Sequence, residues 1–288
     1  MIPTQVNLDS IKLFSNNSLG DLNESPQTFQ PYSSLVREFC SDLANELVRL
    51  EPIERTQDIV SLAFWLQKMS VEPAPFRNDE SLIRRAKGTI FHIAPSNVPL
   101  NFAYSLIAGL ITGNRNIVRL PSRDFLEVSR VIAKINNLLD LKKYDSLRTL
   151  IFLLRYERNE EVNQFLSNFA DVRVIWGGNN TISEVRRALL KPRAFDITFA
   201  DRYSFCAINA SEYLKSKKFN DIARAFYNDV YLFDQNACTA PHLIIWVGEK
   251  NEIELAQTSF WGSLDEVVAA KYSYQGISSI DKLTVAQS

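Results

Sequence analysis

Between residues 89 and 199 the chain alternates short β-favouring apolar runs with stretches of helical period, and this alternation limits the fold more than any other feature. The runs occupy 89–93, 116–120, 149–154, 172–176 and 194–199, with Pro95, Pro121, Gly177 and Pro192 among the residues that punctuate them. Between them lie an apolar stretch over 100–111 that stops at Gly113, and a stretch with Val128, Val131, Ile132, Ile135 and Leu138 at helical spacing. Two further helical stretches follow over 161–169 and 183–190. By period alone 149–154 fits strand or helix; its length and the helical stretch behind it favour strand. Five strands alternating with helices predict an α/β fold with a doubly wound, mostly parallel sheet.

Upstream, Leu35, Val36, Phe39, Leu43 and Leu47, then Ile59, Leu62, Ala63 and Leu66, predict two amphipathic helices. Residues 1–33, with Pro26 and Pro31, show no sustained period and read as an arm. After Asp201 the rhythm changes to a strand over 204–209, a helix over 213–227, a polar loop and a strand over 242–247. The expected division is an arm (1–33), helices plus a sheet domain (34–200) and a second domain (201–288).

At 46% apolar residues over 288 positions, a core needs no disulfide or metal staple. Lys+Arg 32 against Asp+Glu 33 leaves no field to attract nucleic acid. Three cysteines, far apart and without CxxC spacing, argue against a disulfide framework or a thiolate metal site and fit a reducing cytoplasm. Neither a signal peptide nor an eighteen-residue apolar run is present, so no membrane span is expected.

Cys40 falls in an apolar periodic segment, as does Cys206, and both read as core. Cys238 instead sits in Asp234-Gln235-Asn236-Ala237-Cys238-Thr239-Ala240-Pro241, among small and polar residues that suit a loop open to substrate. It reads as a nucleophile or as a small apolar filler. A nucleophile must be held as thiolate, and His242 is the nearest residue that could do so, although it also reads as packing beside the strand. Asn97, between Pro95 and Pro99, is either an amide donor for an oxyanion or a loop cap. Gly177-Gly178-Asn179-Asn180 suits close backbone approach to a dinucleotide and equally an ordinary strand-to-helix turn.

Taken in order and spacing, Pro95-Ser96-Asn97-Val98-Pro99-Leu100, Ile117-Val118-Arg119-Leu120-Pro121-Ser122, Gly177-Gly178 and Gln235-Asn236-Ala237-Cys238 resemble the aldehyde dehydrogenase superfamily. The forms Ile175-Trp176-Gly177-Gly178-Asn179 and Asp201-Arg202-Tyr203-Ser204 resemble its long-chain fatty acyl-CoA reductases, of the bacterial bioluminescence type. The resemblance makes 34–200 a dinucleotide-binding domain and 201–288 part of a catalytic domain. Superfamily members continue well past the cysteine strand, so a C-terminally truncated catalytic domain is expected.

By position, the resemblance implies Cys238 as nucleophile and Asn97 as oxyanion donor. Arg119, Ser122, Arg123, Gly177 and Gly178 become cofactor contacts, with Arg123 suiting the 2′-phosphate of NADPH. Hydrolytic members carry a glutamate base where this chain reads Phe199-Ala200-Asp201, so reduction of a thioester is expected, with Asp201 a weaker candidate base. The implied substrate is a fatty acyl-CoA or an acylated partner protein of the acyl-protein synthetase or acyl transferase type. Homo-oligomerisation is left open. The rival readings are a cysteine acyltransferase or thioesterase, and a truncated non-catalytic interaction subunit.

Overall fold

The computed structural model describes residues 8–71, 83–231 and 237–272. The chain divides into two compact units, Met1–Asp201 and Arg202–Ser288. The loop residues Asp234, Gln235 and Asn236 lie outside the described residues.

In the first unit, Lys12–Leu13 (β1) precedes helices Ser34–Val48 (α1) and Gln57–Val71 (α2). Next come Thr89–Ile93 (β2), Asn101–Ile111 (α3), Arg115–Arg119 (β3), Leu126–Leu139 (α4), the single turn Asp145–Arg148 (α5) and Ile151–Arg155 (β4). Glu160–Ser167 (α6), Val172–Trp176 (β5), Asn179–Arg186 (α7) and Phe195–Phe199 (β6) complete it. The sheet order is β1-β4-β3-β2-β5-β6, parallel throughout except for β1 against β4. The chain steps outward from β2 through β3 to β4, then returns to lay β5 beside β2. That reversal is a topological switch point, where the loops leaving β2 and β5 diverge and open a crevice.

Parallel strands must be covered on both faces, and the sequence supplies the cover. On one side Val118, Ile151 and Leu153 meet a cluster from α1 to α4 that includes Phe39, Leu66, Phe102 and Ile135. On the other side Phe91, Ile93, Phe152 and Ile175 meet Val162 and Leu166 of α6 and Ile182 and Val185 of α7. Ile11 and Leu22 join that second cluster, so residues 8–33 pack on the sheet. Their backbone is tied down as well: Phe29 N–H donates to Gly113 O at 2.9 Å and Tyr32 N–H to Ile111 O at 2.7 Å.

Two arginines, Arg115 and Arg173, are sunk into this unit, the second more deeply. Arg173 on β5 is 1% exposed, with Nε donating to Asp196 Oδ1 at 2.8 Å and Nη1 donating to Ser167 Oγ, Val185 O and Ala188 O, each at 3.0 Å. Burial by itself would raise the pKa of Asp196. Arg173, and then Arg186, outweigh it and hold the carboxyl below its usual value.

The second unit runs Ser204–Asn209 (β7), Ala210–Ser216 (α8), Phe219–Val230 (α9), Pro241–Val247 (β8) and Lys250–Lys271 (α10). β7 and β8 pair in parallel, and Ile208, Ile244 and Trp246 face a cluster built from α8, α9 and α10 around Tyr213, Tyr227 and Phe260.

Two elements differ from the sequence expectation. The helix expected over 213–227 is two helices, because Lys217 takes a left-handed conformation (φ 53°) and breaks the hydrogen-bond ladder. Asn209 starts the first of them by accepting from Glu212 N–H at 3.0 Å, and the break brings Phe219 within 5.1 Å of Tyr213, ring to ring. The helix expected from 183 opens at Asn179 instead, so Asn179 and Asn180 are its first residues and not a turn.

Candidate active site

At the switch point β2 and β5 lie side by side, Ile93 opposite Ile175, and β3 flanks β2 with Arg119 opposite Ile93. The carboxyl ends of these strands therefore gather the loop holding Asn97, the end of β3 with Arg119, Ser122 and Arg123, and Gly177-Gly178. Asn97 is exposed on its loop. Ser96 Oγ and Ser122 Oγ lie 3.1 Å apart in a hydrogen bond that ties the loop after β2 to the loop after β3.

Arg119 is held by Tyr156. Its Nη2 donates to Tyr156 O at 3.2 Å and its guanidinium lies 4.5 Å from the centre of the tyrosine ring. Burial pushes the Tyr156 phenol well above its usual range, against the lowering effect of Arg119 and Arg173, so the hydroxyl stays protonated and donates to Asn163 Oδ1 at 2.6 Å. Arg123 is exposed and lies over Phe125 at 5.4 Å. Asp124, beside it, is paired with Arg155 at the end of β4, which leaves a net positive charge at this corner.

Gly178 caps α7. A Cβ on it would come within 2.8 Å of Asp201 Oδ2, and that oxygen accepts from Asn179 N–H at 3.2 Å. The carboxylate thus occupies the positive end of the helix and explains why α7 starts early. Asp201 is exposed, and its carboxylate is committed to a backbone N–H.

Beneath the crevice runs a one-way hydrogen-bond chain. Trp176 Nε1–H donates to Ser105 Oγ at 3.2 Å, and Asn116 Nδ2 donates to Asn114 O at 2.7 Å. Asn116 Oδ1 can only accept, so His92 Nε2 carries the proton and donates to it at 3.0 Å, and Nδ1 of the neutral ring accepts from the Ser105 hydroxyl at 2.7 Å. Burial lowers the pKa of His92 to about 4, which keeps the ring neutral. Gly109 allows this packing, since a Cβ there would fall 1.9 Å from Asn116 Oδ1.

The second unit carries Cys238, three residues before β8. Ser204 Oγ donates to Cys238 O at 2.7 Å, and Ala240 N–H donates to Ala237 O at 2.9 Å, so a short turn presents an exposed thiol. The other cysteines differ. Burial raises Cys40 to about 12, and burial with the charge of Asp229 raises Cys206. His242, the base a cysteine acyltransferase would need, stacks on Tyr203 with ring centres 5.4 Å apart.

The profile of the acyl-CoA reductase (LuxC) family matches residues 37–269. The chain belongs to the LuxC acyl-CoA reductase family. Among its relatives, a long-chain acyl-protein thioester reductase of Aliivibrio fischeri is 23% identical over 185 residues, 62% of this chain and 37% of that protein. One from Photorhabdus luminescens is 27% identical over 179 residues, 60% of this chain and 35% of the relative. The matched stretch thus spans little more than a third of these relatives. Solved structures agree on the fold. An oxidoreductase from Marinobacter aquaeolei superposes with a TM-score of 0.58 at 13% identity, covering 85% of this chain and 54% of that one. An NAD-dependent aldehyde dehydrogenase from Sinorhizobium meliloti gives 0.55 at 11% identity, covering 80% and 48%.

The sequence reading of this LuxC-family chain missed Tyr156, Arg155 and the contact between Asp201 and α7. Tyr156 and Arg155 follow a strand that the doubly wound order places next to the one ending at Arg119, so the strand order itself was the available signal. Among the described residues no helix is long and apolar enough to cross a membrane, and no group of three or more His, Cys, Asp or Glu could hold a metal.

Proposed function

We propose that this chain provides the cofactor crevice and the acyl-accepting cysteine of an NADPH-dependent reductase that converts a long-chain fatty acyl thioester to the aldehyde. The observation that carries the reading is that the family match runs through the one exposed cysteine in the described chain, while the thiols of Cys40 and Cys206 are held up by burial.

Cys238 Sγ attacks the thioester carbonyl as thiolate; the new C–S bond forms, the bond to the donor sulfur breaks, and the donor leaves as thiolate. The oxyanion that develops needs N–H donors, a role the resemblance assigns to the Asn97 amide. When bound, NADPH supplies the hydride that reduces the acyl carbon, and Cys238 is released as thiolate with the aldehyde. Asp201 accepts from Asn179 N–H at the start of α7, and no glutamate stands at 199–201, which supports reduction over hydrolysis.

The crevice fits a nicotinamide dinucleotide: glycine backbone at 177–178, the Ser96–Ser122 link, and Arg119 and Arg123 beside a neutralised Asp124. The positive corner supports NADPH over NADH. Asp201 must turn off α7 for a pyrophosphate to use that helix end, and being exposed it can do so freely. Incubation with dodecanoyl-CoA and NADPH, followed by nicotinamide absorbance and by mass spectrometry of Cys238 peptides, tests the reading. Acyl on Cys238, absent in Cys238→Ala, is expected; acylation that persists in Cys238→Ala would sink it.

A further inference from the structure

The second unit contains a cavity of about 440 Å³ between α9, β8 and α10, walled by Phe226, Val230, Tyr231, Ile244, Trp246 and Trp261. Its volume falls in the range of small-molecule sites, and its lining residues are apolar or aromatic except His242 and Gln257. Tyr231 and Pro241, which bracket Cys238 in the sequence, are both lining residues. Cys238 is three residues from Pro241, so its backbone lies within about 11 Å of the rim.

We infer that this cavity receives the hydrocarbon chain of the acyl group while its carbonyl is held at Cys238. The inference rests on the acyl-cysteine reading above and adds to it a place for the chain. Several observations favour a fatty chain over another occupant. The walls offer aromatic and branched surface, without a charged side chain among the lining residues. The mouth is open, with Trp261 half exposed, so an elongated ligand can enter end-on. The two polar residues sit on different walls, His242 on β8 and Gln257 on α10, and do not converge on a head group.

The test uses the full chain. Dodecanoate should quench tryptophan fluorescence saturably through Trp246 and Trp261, and affinity should rise about fourfold for each methylene added up to the length that fills the cavity. Val230→Phe puts a ring into the space; it should abolish the saturable quenching and slow acylation by dodecanoyl-CoA while leaving acylation by butanoyl-CoA unchanged. Trp261→Ala, at a half-exposed position, should weaken dodecanoate about tenfold. Absence of saturable dodecanoate binding, or the same chain-length profile in both variants as in the parent, overturns the inference. Saturable binding that Val230→Phe removes, with no donor acylating Cys238, leaves the cavity standing and removes the reductase reading.

Discussion

The sheets of the two units obey the same rule to different extents. In the first, β2 is buried at every position and β3, β4 and β5 at all but the last, since helices and the N-terminal segment cover both faces. In the second, β7 alternates half-buried and exposed residues, and its outer face, with that of β8, carries Phe205, Leu243, Ile245 and Val247 at 61%, 48%, 41% and 52% exposure. Solvent-facing strand positions are usually polar, and these are not. Burial in the first unit already weakens toward β6, where Phe195 and Ile197 are 47% and 43% exposed. Apolar pattern thus marks positions that suit burial, whereas burial itself depends on what is packed against them.

The sharpest way to break the contrast is to damage the first unit where its packing is least forgiving. Arg173→Leu leaves Asp196 half-sunk with only Arg186 for a partner and frees two helix-end carbonyls, and it should destabilise that unit by about 3–5 kcal/mol. Hydrogen exchange resolved by segment would check it, with protection lost across β5, β6 and α7 and kept in α9 and α10. Equal loss in both units would mean that they unfold together.

Acid should act on the same unit through His92. Its folded pKa, about 4, lies below the ordinary 6.5, so the neutral ring adds no penalty above pH 6.5. As pH falls from 6.5 toward 4 the unfolded chain takes up a proton that the fold refuses, and stability drops by about 1.4 kcal/mol per unit, to a total of about 3 kcal/mol. Urea titrations at pH 7.5 and 5 should show this slope in the parent and a flatter one in His92→Gln. An unchanged slope in the variant would assign the acid sensitivity elsewhere.

At the last residue of the first unit, Asp201→Asn removes a negative charge from the end of α7 and should tighten NADPH about threefold to tenfold, read by fluorescence titration. Weaker binding would show that the carboxylate assists the cofactor and does not compete with it.

How much of this was readable follows from where the information lies. The five parallel strands of the first unit were legible because strands covered on both faces show as continuous apolar runs. Lys217 gave no signal, since a left-handed lysine is chosen by the packing of Phe219 on Tyr213 and not by its own preference. Asn179 and Asn180 favour turns locally, and only a carboxylate 22 residues away makes them helical. Cys238 stood out by its small, polar neighbours. The cavity beside β8 could not be seen, because its walls come from α9, β8 and α10, and α10 had drawn no reading at all.

The smallest effect is the most informative about the uncovered sheet. Ile175 and Ile245 are the same residue type on parallel strands, the first fully buried and the second 41% exposed. Ile175→Thr strands a hydroxyl in the cluster with Phe91 and Ile182 and should cost about 2–3 kcal/mol. Ile245→Thr keeps a β-branched side chain on the strand and exchanges a methyl group already in water, so its cost should stay within about 0.5 kcal/mol. Paired denaturation curves, followed by segment-resolved exchange, give both numbers. Should Ile245→Thr cost as much as Ile175→Thr, the outer face of β7 and β8 would be covered in solution, and the difference between the two sheets would be one of what surrounds the chain and not of the chain's own packing.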